Sequence, residues 1–220
     1  MTAASTPPKR WRSCAAFEEG GDCAKDCRMN IQSKMPTTAD EFLRWNEGRE
    51  GKREFVHGRV VEMMINVTKR HAVLAMRLGA ILLRSLPYPA FAVGSADLAV
   101  RTPRGIRYPD VFVDRGTPAS SDSDLMASEP VLLAEVLSPS SLARDFVDKL
   151  ADYTGIETLL YYMVVSHEET RVWLWSRGDD GAWTGPEEFA GSGDVIALAR
   201  LDTSIPLAEL YAGIQRSADA

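Results

Sequence analysis

The sequence has few cysteines, and all three lie near its start, at Cys14, Cys23 and Cys27. None falls among the later residues that carry the hydrophobic patterns, so a disulfide framework for a core is excluded. A structural zinc site commonly takes four ligands, and this segment offers three thiolates and no histidine, which argues against one. Unpaired thiols of a reducing compartment are the better interpretation.

The sequence also lacks a long apolar run. The best candidate, residues 72–86, is interrupted by Arg77 and Arg84, whereas a membrane helix needs about 18 to 20 apolar residues. No apolar segment follows the basic residues near the N-terminus, so a secretory signal is not expected. We expect no membrane partner and a cytoplasmic location.

An excess of positive charge is absent as well, since 25 Lys and Arg residues stand against 31 Asp and Glu residues, a net charge of −6. Proteins that coat nucleic acid nonspecifically rely on cations that displace the counterions of the phosphates. The composition argues against that class. It leaves open an enzyme that brings phosphates to acidic residues through a metal ion.

A single folded domain is predicted for residues 36–215, because 220 residues with 45% hydrophobic content suffice for one sizeable core. Residues 1–35 show no helix or strand period and are predicted to be a non-core extension. The domain is expected to be α/β (α+β), with a sheet flanked by helices. The patterns predict a short helix that starts from Thr38, helices near 68–86, 138–153 and 206–211, a hairpin at 54–61, and strands at 91–100, 108–114, 130–137, 158–165 and 171–177.

Two carboxylates lie inside hydrophobic strand patterns. Asp110 precedes Val111-Phe112-Val113, and Glu135 lies within a run of seven residues that is otherwise apolar. A buried carboxylate without a partner is costly, so such residues are normally ion-paired, hydrogen-bonded or bound to a metal. If the two strands are neighbours, both carboxylates could bind one hard divalent cation. An ordinary salt bridge for each remains the alternative.

Lys149 lies on the apolar face of the helix that follows Glu135, together with Phe146, Leu150 and Tyr153. That face must pack on the sheet, so the ammonium group needs a buried partner, and Glu135 is the candidate. The alternative is a weak surface pair with Asp145, one turn earlier on the helix.

These residues resemble the Uma-type restriction endonuclease family, formerly a domain of unknown function, within the PD-(D/E)XK nuclease superfamily. The resemblance covers about residues 36–212. It is carried by Tyr108-Pro109-Asp110, by Glu135-Val-Leu-Ser-Pro-Ser, and by Asp145-x-x-x-Lys149-Leu-x-x-Tyr153. It implies a restriction-endonuclease-like mixed central sheet flanked by helices, and Mg²⁺-dependent (or Mn²⁺-dependent) hydrolysis of DNA.

The resemblance also implies roles for single residues. Asp110 and Glu135 would hold the metal, with the carbonyl of Val136 as a further ligand. Lys149 would replace the usual lysine of the superfamily, whose position is taken here by Leu137. Among the other residues, Glu54 would support the site or a second metal, and His71 would contact phosphate or relay a proton, although a buried structural histidine fits His71 equally well. The sequence departs from the family pattern at His57 and Val165.

The candidate residues for contact with DNA are Arg70, Arg77 and Arg84, which recur every seven residues on the 68–86 helix. A solvated basic stripe is the simpler interpretation and is favoured over a DNA contact. The main rival function is a noncatalytic nuclease-fold module that binds nucleic acid or a protein partner, because fold alone does not establish function. Whether the protein forms a homodimer is left open.

Overall fold

The computed structural model describes residues 34–63, 67–116, 124–137 and 144–214, with the side chains of residues 144–147 excepted. Residues from Met35 onward form one compact unit. Residues 1–35 lie almost wholly outside the described residues, so a non-core extension there stays a prediction. Within the described part the fold is α+β, with several sheets and few helices, which confirms the predicted fold class.

The first helix and the hairpin follow the local sequence signals. Helix α1 (Ala39–Asn46) begins after Thr38, whose hydroxyl accepts a hydrogen bond from the Glu41 N–H at 3.2 Å. The carboxylate of Glu41 also accepts hydrogen bonds from the N–H and the hydroxyl of Thr37, each at 2.8 Å. Strands β1 (Arg53–Val56) and β2 (Arg59–Glu62) meet at His57 and Gly58, both with positive φ, as a tight hairpin turn requires.

The hairpin belongs to a small sheet with strand order β2-β1-β5-β4, in which β4 is Val100–Thr102 and β5 is Gly105–Arg107. Gly105 is required where β5 approaches β1, because a Cβ there would lie 1.7 Å from the carbonyl oxygen of Phe55. Phe42 of α1 stacks on Phe55 and packs with Ile106, which gives this sheet its own apolar cluster. The small sheet therefore holds β1 and β5 in fixed register.

The main sheet has six strands in the order β10-β9-β8-β7-β6-β3. Among these pairings only β7 with β8 is parallel. The strand β7 is buried on both faces and has a neighbour on each side, which explains its continuous apolar sequence. The strands are β3 (Phe91–Ser95), β6 (Val111–Arg115), β7 (Pro130–Leu137), β8 (Tyr161–Ser166), β9 (Val172–Arg177) and β10 (Trp183–Phe189).

Alternate residues of the central strands pack into two different clusters. Helix α2 (Lys69–Ser85) covers one face, where it packs with Leu132 and Ala134. The other face carries Leu133, which packs with Tyr153 of helix α3 (Arg144–Tyr153). Helix α4 (Leu207–Leu210) and the hairpin of β11 (Val195–Leu198) and β12 (Thr203–Pro206) complete the α2 side. Helices thus flank both faces of the sheet, as predicted.

Several predicted boundaries were wrong. The strand predicted at 91–100 is two strands, β3 and β4, which lie in different sheets. The strands β5, β10, β11 and β12 were not predicted, and the strand predicted at 158–165 begins only at Tyr161. Pro206 is the N-cap of α4 rather than its first residue. The predicted start of the third helix, at 138–143, lies outside the described residues.

Candidate active site

Asp110 lies at the entrance of β6, directly opposite Glu135 of β7. The antiparallel register pairs Val111 with Ala134, which places the two carboxylate-bearing residues in adjacent positions of the two strands. The Oδ2 atom of Asp110 accepts a hydrogen bond from the Val136 N–H at 2.8 Å and lies 3.1 Å from Nε2 of His71. Asp110 is therefore held by the backbone of β7 and by the first turn of α2.

Glu135 is buried, at 7% exposure, and each of its carboxylate oxygens has a partner. The Tyr153 hydroxyl donates to Oε1 at 2.7 Å, and Nζ of Lys149 lies 2.9 Å from Oε2. The prediction that Lys149 points inward to Glu135 is confirmed. The alternative partner, Asp145, has a side chain outside the described residues. Two residues on one face of α3 thus fix the Glu135 carboxylate.

The charges in this cluster are strongly coupled. Burial raises the pKa of Glu135 to about 7, against a lowering by Lys149 and a further rise from the charge of Asp110. Burial by itself lowers the pKa of Lys149, but the negative charges of Glu135, Glu54 and Asp110 raise it above its usual value. Lys149 is therefore a permanent cation at neutral pH, and Glu135 is poised to gain or lose a proton there.

Behind this pair lies a buried ion network that the sequence analysis missed. Nη1 of Arg107 lies 2.6 Å from Glu54, and its Nη2 lies 2.6 Å from Asp152. Arg104 also binds Asp152. All three members of the Glu54–Arg107–Asp152 chain are less than 10% exposed. Two features of the sequence could have indicated this network. Arg107 is a charged residue in an apolar strand, three residues before Asp110, and Asp152 follows Lys149 by three residues, on the same side of α3.

Glu54 is committed to this network. Its Oε2 faces Arg107, and its Oε1 accepts a hydrogen bond from the Tyr108 N–H at 3.4 Å. Of the two roles that the resemblance implies for Glu54, support of the site agrees with these contacts, and ligation of a second metal stays a prediction. Glu54 links β1 to the segment that leads into Asp110.

His71 lies in the site and not merely in the core. Burial by itself lowers the pKa of His71, but its hydrogen bond to Asp110, the charges of Asp110 and Glu135, and the Val136 carbonyl raise it overall. Its Nδ1 atom is buried and has no hydrogen-bond partner among the described residues. The histidine therefore contacts a predicted metal ligand directly, through its Nε2 and Oδ2 of Asp110.

The three arginines of α2 each have a partner within the protein. Arg70 donates to the carbonyl of His167 at 3.1 Å. Arg77 donates to the backbone carbonyls of Leu210 and Ala212, at 2.9 and 2.7 Å. Arg84 makes two hydrogen bonds to the Glu209 carboxylate, at 2.6 and 2.8 Å. These contacts tie α2 to the residue after β8 and to the C-terminal segment around α4, yet the side chain of Arg84 is still 62% exposed, so a contact of these arginines with DNA stays a prediction.

The donor set suits a hard cation rather than zinc. Across the described ranges no cluster of three or more His, Cys, Asp or Glu side chains could hold a metal ion, and structural zinc needs about four such ligands. Mg²⁺ keeps several waters and is commonly bound by one or two carboxylates. Asp110 and Glu135 supply that number, and lone pairs remain on both carboxylates beyond the contacts described above. The residues present therefore fit Mg²⁺ or Mn²⁺.

Comparison with known proteins agrees with this fold. Residues 39–207 match the sequence profile of the Uma2 family, described as "Putative restriction endonuclease". The chain belongs to this family. Two relatives come from Synechocystis sp. (strain ATCC 27184 / PCC 6803 / Kazusa), both named as uncharacterized proteins. The relative slr1290 is 31% identical over 177 residues, covering 80% of this chain and 91% of its own, and sll1609 is 28% identical over 158 residues, covering 70% and 89%.

A solved structure shares the fold of this Uma2 chain. It is described as "a putative nuclease belonging to DUF820 from Anabaena variabilis ATCC 29413". The two superpose with a TM-score of 0.64 at 15% identity, over 82% of this chain and all of the other. At that identity the likeness establishes the fold. In the part of the chain that the structure describes, no helix is both long and apolar enough to cross a membrane.

Proposed function

We propose that this Uma2-family protein is a metal-dependent endonuclease that hydrolyses phosphodiester bonds of DNA. The observation that carries the proposal is the contact of Lys149 with Glu135, at 2.9 Å, beside Asp110. Two carboxylates and one lysine are the groups that would bind the metal ion and support such hydrolysis. Here the lysine reaches the site from α3, and Leu137 occupies the position in β7 where the lysine usually lies.

Asp110 and Glu135, with the Val136 carbonyl, are the residues that would hold Mg²⁺ or Mn²⁺. When bound, the metal ion would lower the pKa of a bound water and offset the charge that develops on the phosphate. Lys149 would hold the attacking water by its ammonium protons and keep a positive charge beside the phosphate. Tyr153 and Lys149 together fix the orientation of Glu135, and His71 with the Val136 N–H fixes that of Asp110.

Cleavage of supercoiled plasmid by the purified protein tests this proposal. We expect nicked or linear product with Mg²⁺ or Mn²⁺ and none with excess chelator. Asp110→Asn and Glu135→Gln should abolish product and weaken Mg²⁺ binding in calorimetry while the circular dichroism spectrum is kept. Unchanged Mg²⁺ binding in both variants would contradict the metal site.

Binding of DNA without any cleavage would favour the noncatalytic nuclease-fold module instead. A cytoplasmic location remains a prediction from the sequence, and size-exclusion chromatography with light scattering would decide whether the protein is a homodimer.

A further inference from the structure

Helix α3 contributes two side chains to the candidate active site, and a third residue of the same helix binds the small sheet. Lys149 and Tyr153 both contact the Glu135 carboxylate. Asp152 lies between them in the sequence, is 1% exposed and pairs with two arginines of the β4–β5 hairpin. Because residues three positions apart are neighbours on a helix, a displacement of Asp152 also moves Lys149. The position of the lysine therefore depends on how α3 is held.

Two arginines hold the Asp152 carboxylate from the hairpin. Arg107, at the end of β5, donates from Nε and Nη2 to Oδ2, at 2.9 and 2.6 Å. Arg104 lies in the turn between β4 and β5, where it pairs with Oδ1 and donates from Nη2 to the Asp148 carbonyl at 2.9 Å. Each carboxylate oxygen thus has its own guanidinium partner. Such charge-assisted contacts fix a carboxylate in direction as well as in distance.

The backbone after α3 packs on the same turn. A Cβ at Gly155 would lie 2.7 Å from Cγ of Pro103, so the two segments are already in close contact. The turn is itself fixed, because β5 pairs with β4 on one side and with β1 on the other. The end of α3 therefore rests on a paired hairpin, and the Asp152 contacts add to that support.

The same hairpin leads into the other carboxylate of the site. The strand β5 ends at Arg107, and Asp110 follows three residues later. Arg107 also lies 2.6 Å from Glu54, whose negative charge contributes to the raised pKa of Lys149. Arg107 thus joins the chain segment that carries Asp110 to the helix that carries Lys149. The distance between the two parts of the site depends on this junction.

We propose that Asp152 is a positioning residue for phosphodiester hydrolysis, an inference that rests on the proposed function. With Arg104 and Arg107 it keeps α3 where the Lys149 ammonium reaches Glu135. Asp152 is buried, so it is out of reach of DNA and acts through Lys149. A misplacement of about 1 Å can cost on the order of 100-fold in rate, so weaker support of α3 lowers turnover while DNA is still bound.

The position of the Lys149 ammonium can be measured without metal or DNA. An ammonium buried against a carboxylate exchanges its protons slowly with water, and its ¹⁵N NMR signal is assigned by its absence in Lys149→Met. We expect Asp152→Asn to speed this exchange by on the order of tenfold, because α3 opens more often. Arg104→Gln removes one of the two arginines at a partly exposed position and should act in the same direction; it decides the question if Asp152→Asn does not fold.

Arg101→Gln is the matched control. Arg101 lies on the same hairpin and pairs with an aspartate as Arg104 does, but its partner is Asp40 of α1 rather than a residue of α3. The two arginine side chains are also similarly exposed, at 41% and 33%. The control should keep the ammonium signal and the cleavage rate of the wild-type protein.

Turnover separates positioning from a purely structural role. With Mg²⁺, Asp152→Asn should lower kcat by about 10- to 100-fold and leave KM for DNA within about twofold. Because Asp152 acts through Lys149, the double variant Asp152→Asn/Lys149→Met should cut no more slowly than Lys149→Met alone. If the double variant loses the product of the two single losses, the inference is overturned.

The two measurements also distinguish this inference from the proposed function. Absence of the Lys149 signal in the wild-type protein, or unchanged exchange in Asp152→Asn and Arg104→Gln, would overturn the inference even if the plasmid is cut. Faster exchange in both variants without any plasmid cleavage by the wild-type protein would support the positioning of Lys149 by Asp152 and refute the nuclease.

Discussion

Replacing Lys149 by Met tests the central pair, because Met fills a similar volume and removes only the charge. In the folded protein Lys149 lies 2.9 Å from Glu135, and both side chains are at most 15% exposed. The variant leaves Glu135 buried without its cation, and a buried carboxylate in that state takes up a proton. The loss of Lys149 should therefore appear as a change in how stability depends on pH, measured without metal.

The size of the effect follows from the pKa of Glu135, which is about 7 in the fold against its usual 4.5. The folded state holds this proton more tightly than the unfolded chain, so the contribution of Glu135 to stability is greatest below pH 4.5 and falls as the pH rises to about 7. At about 1.4 kcal/mol per pKa unit the fall is roughly 3 kcal/mol. In the wild-type protein the stability then stops falling, because Glu135 is ionised beside Lys149.

Without Lys149 the pKa of Glu135 rises further, and the stability of the variant continues to fall above pH 7. At pH 7 we expect the free energies of unfolding of Lys149→Met and the wild-type protein to differ by less than about 1 kcal/mol. At pH 9 we expect the variant to be less stable by about 2 to 3 kcal/mol more than that. Urea unfolding in chelator at pH 7, 8 and 9 measures this. Lys69→Met, at an exposed position of α2, is the control and should follow the wild-type curve.

Turnover of the same variant should fall on the order of 100-fold in the plasmid assay with Mg²⁺, as for the loss of a general acid–base or charge-stabilising group. Parallel unfolding curves for the wild-type protein and Lys149→Met would refute the electrostatic reasoning. Cleavage by the variant at the wild-type rate would refute the catalytic role of Lys149.

Three further outcomes are expected. Adding Leu137→Lys to Lys149→Met should restore part of the cleavage rate, because Leu137 and Glu135 point to the same face of β7; no recovery would show that the strand position cannot serve. Arg107→Met should lower the free energy of unfolding by about 3 to 5 kcal/mol, since the buried Glu54 loses its cation and Asp152 keeps only Arg104, and a loss under about 1 kcal/mol in urea unfolding would contradict the network. Removing residues 1–34 should leave the melting temperature unchanged in calorimetry, and a large drop would show that this segment stabilises the domain.

The parts of the fold that could be predicted are those with strong local signals. Thr38 and Thr68 cap helices where a hydroxyl precedes an apolar period, and His57-Gly58 forms the turn between two β-prone arms. The strand β10 has no such signal, because it lies at the sheet edge with mostly exposed residues and contains Gly185 and Pro186. Residues 91–100 read as one strand because nothing in their local pattern marks the change from one sheet to the other.

The candidate site also has a part that local sequence signals predict and a part that they do not. The inward position of Lys149 followed from helical periodicity and the cost of a buried charge, and the structure agrees. Arg107 and Asp152 were missed because their pairing joins residues 45 positions apart, which no local pattern records. The partners of the α2 arginines were not predicted, for a related reason. These partners lie far along the chain, at His167 for Arg70 and at Glu209 for Arg84, so a seven-residue period says nothing about which groups the side chains contact.

The parallel pairing of β7 with β8 has a consequence for the order in which the domain becomes functional during synthesis. Glu135 needs Lys149 and Tyr153 from the crossover that leads to β8, and β8 needs β9 on its outer side. A growing chain that has emerged only as far as Leu137 holds both carboxylates but neither of these partners, so a charged Glu135 would be repelled from the sheet interior. The candidate site therefore cannot form before the centre of the domain has closed.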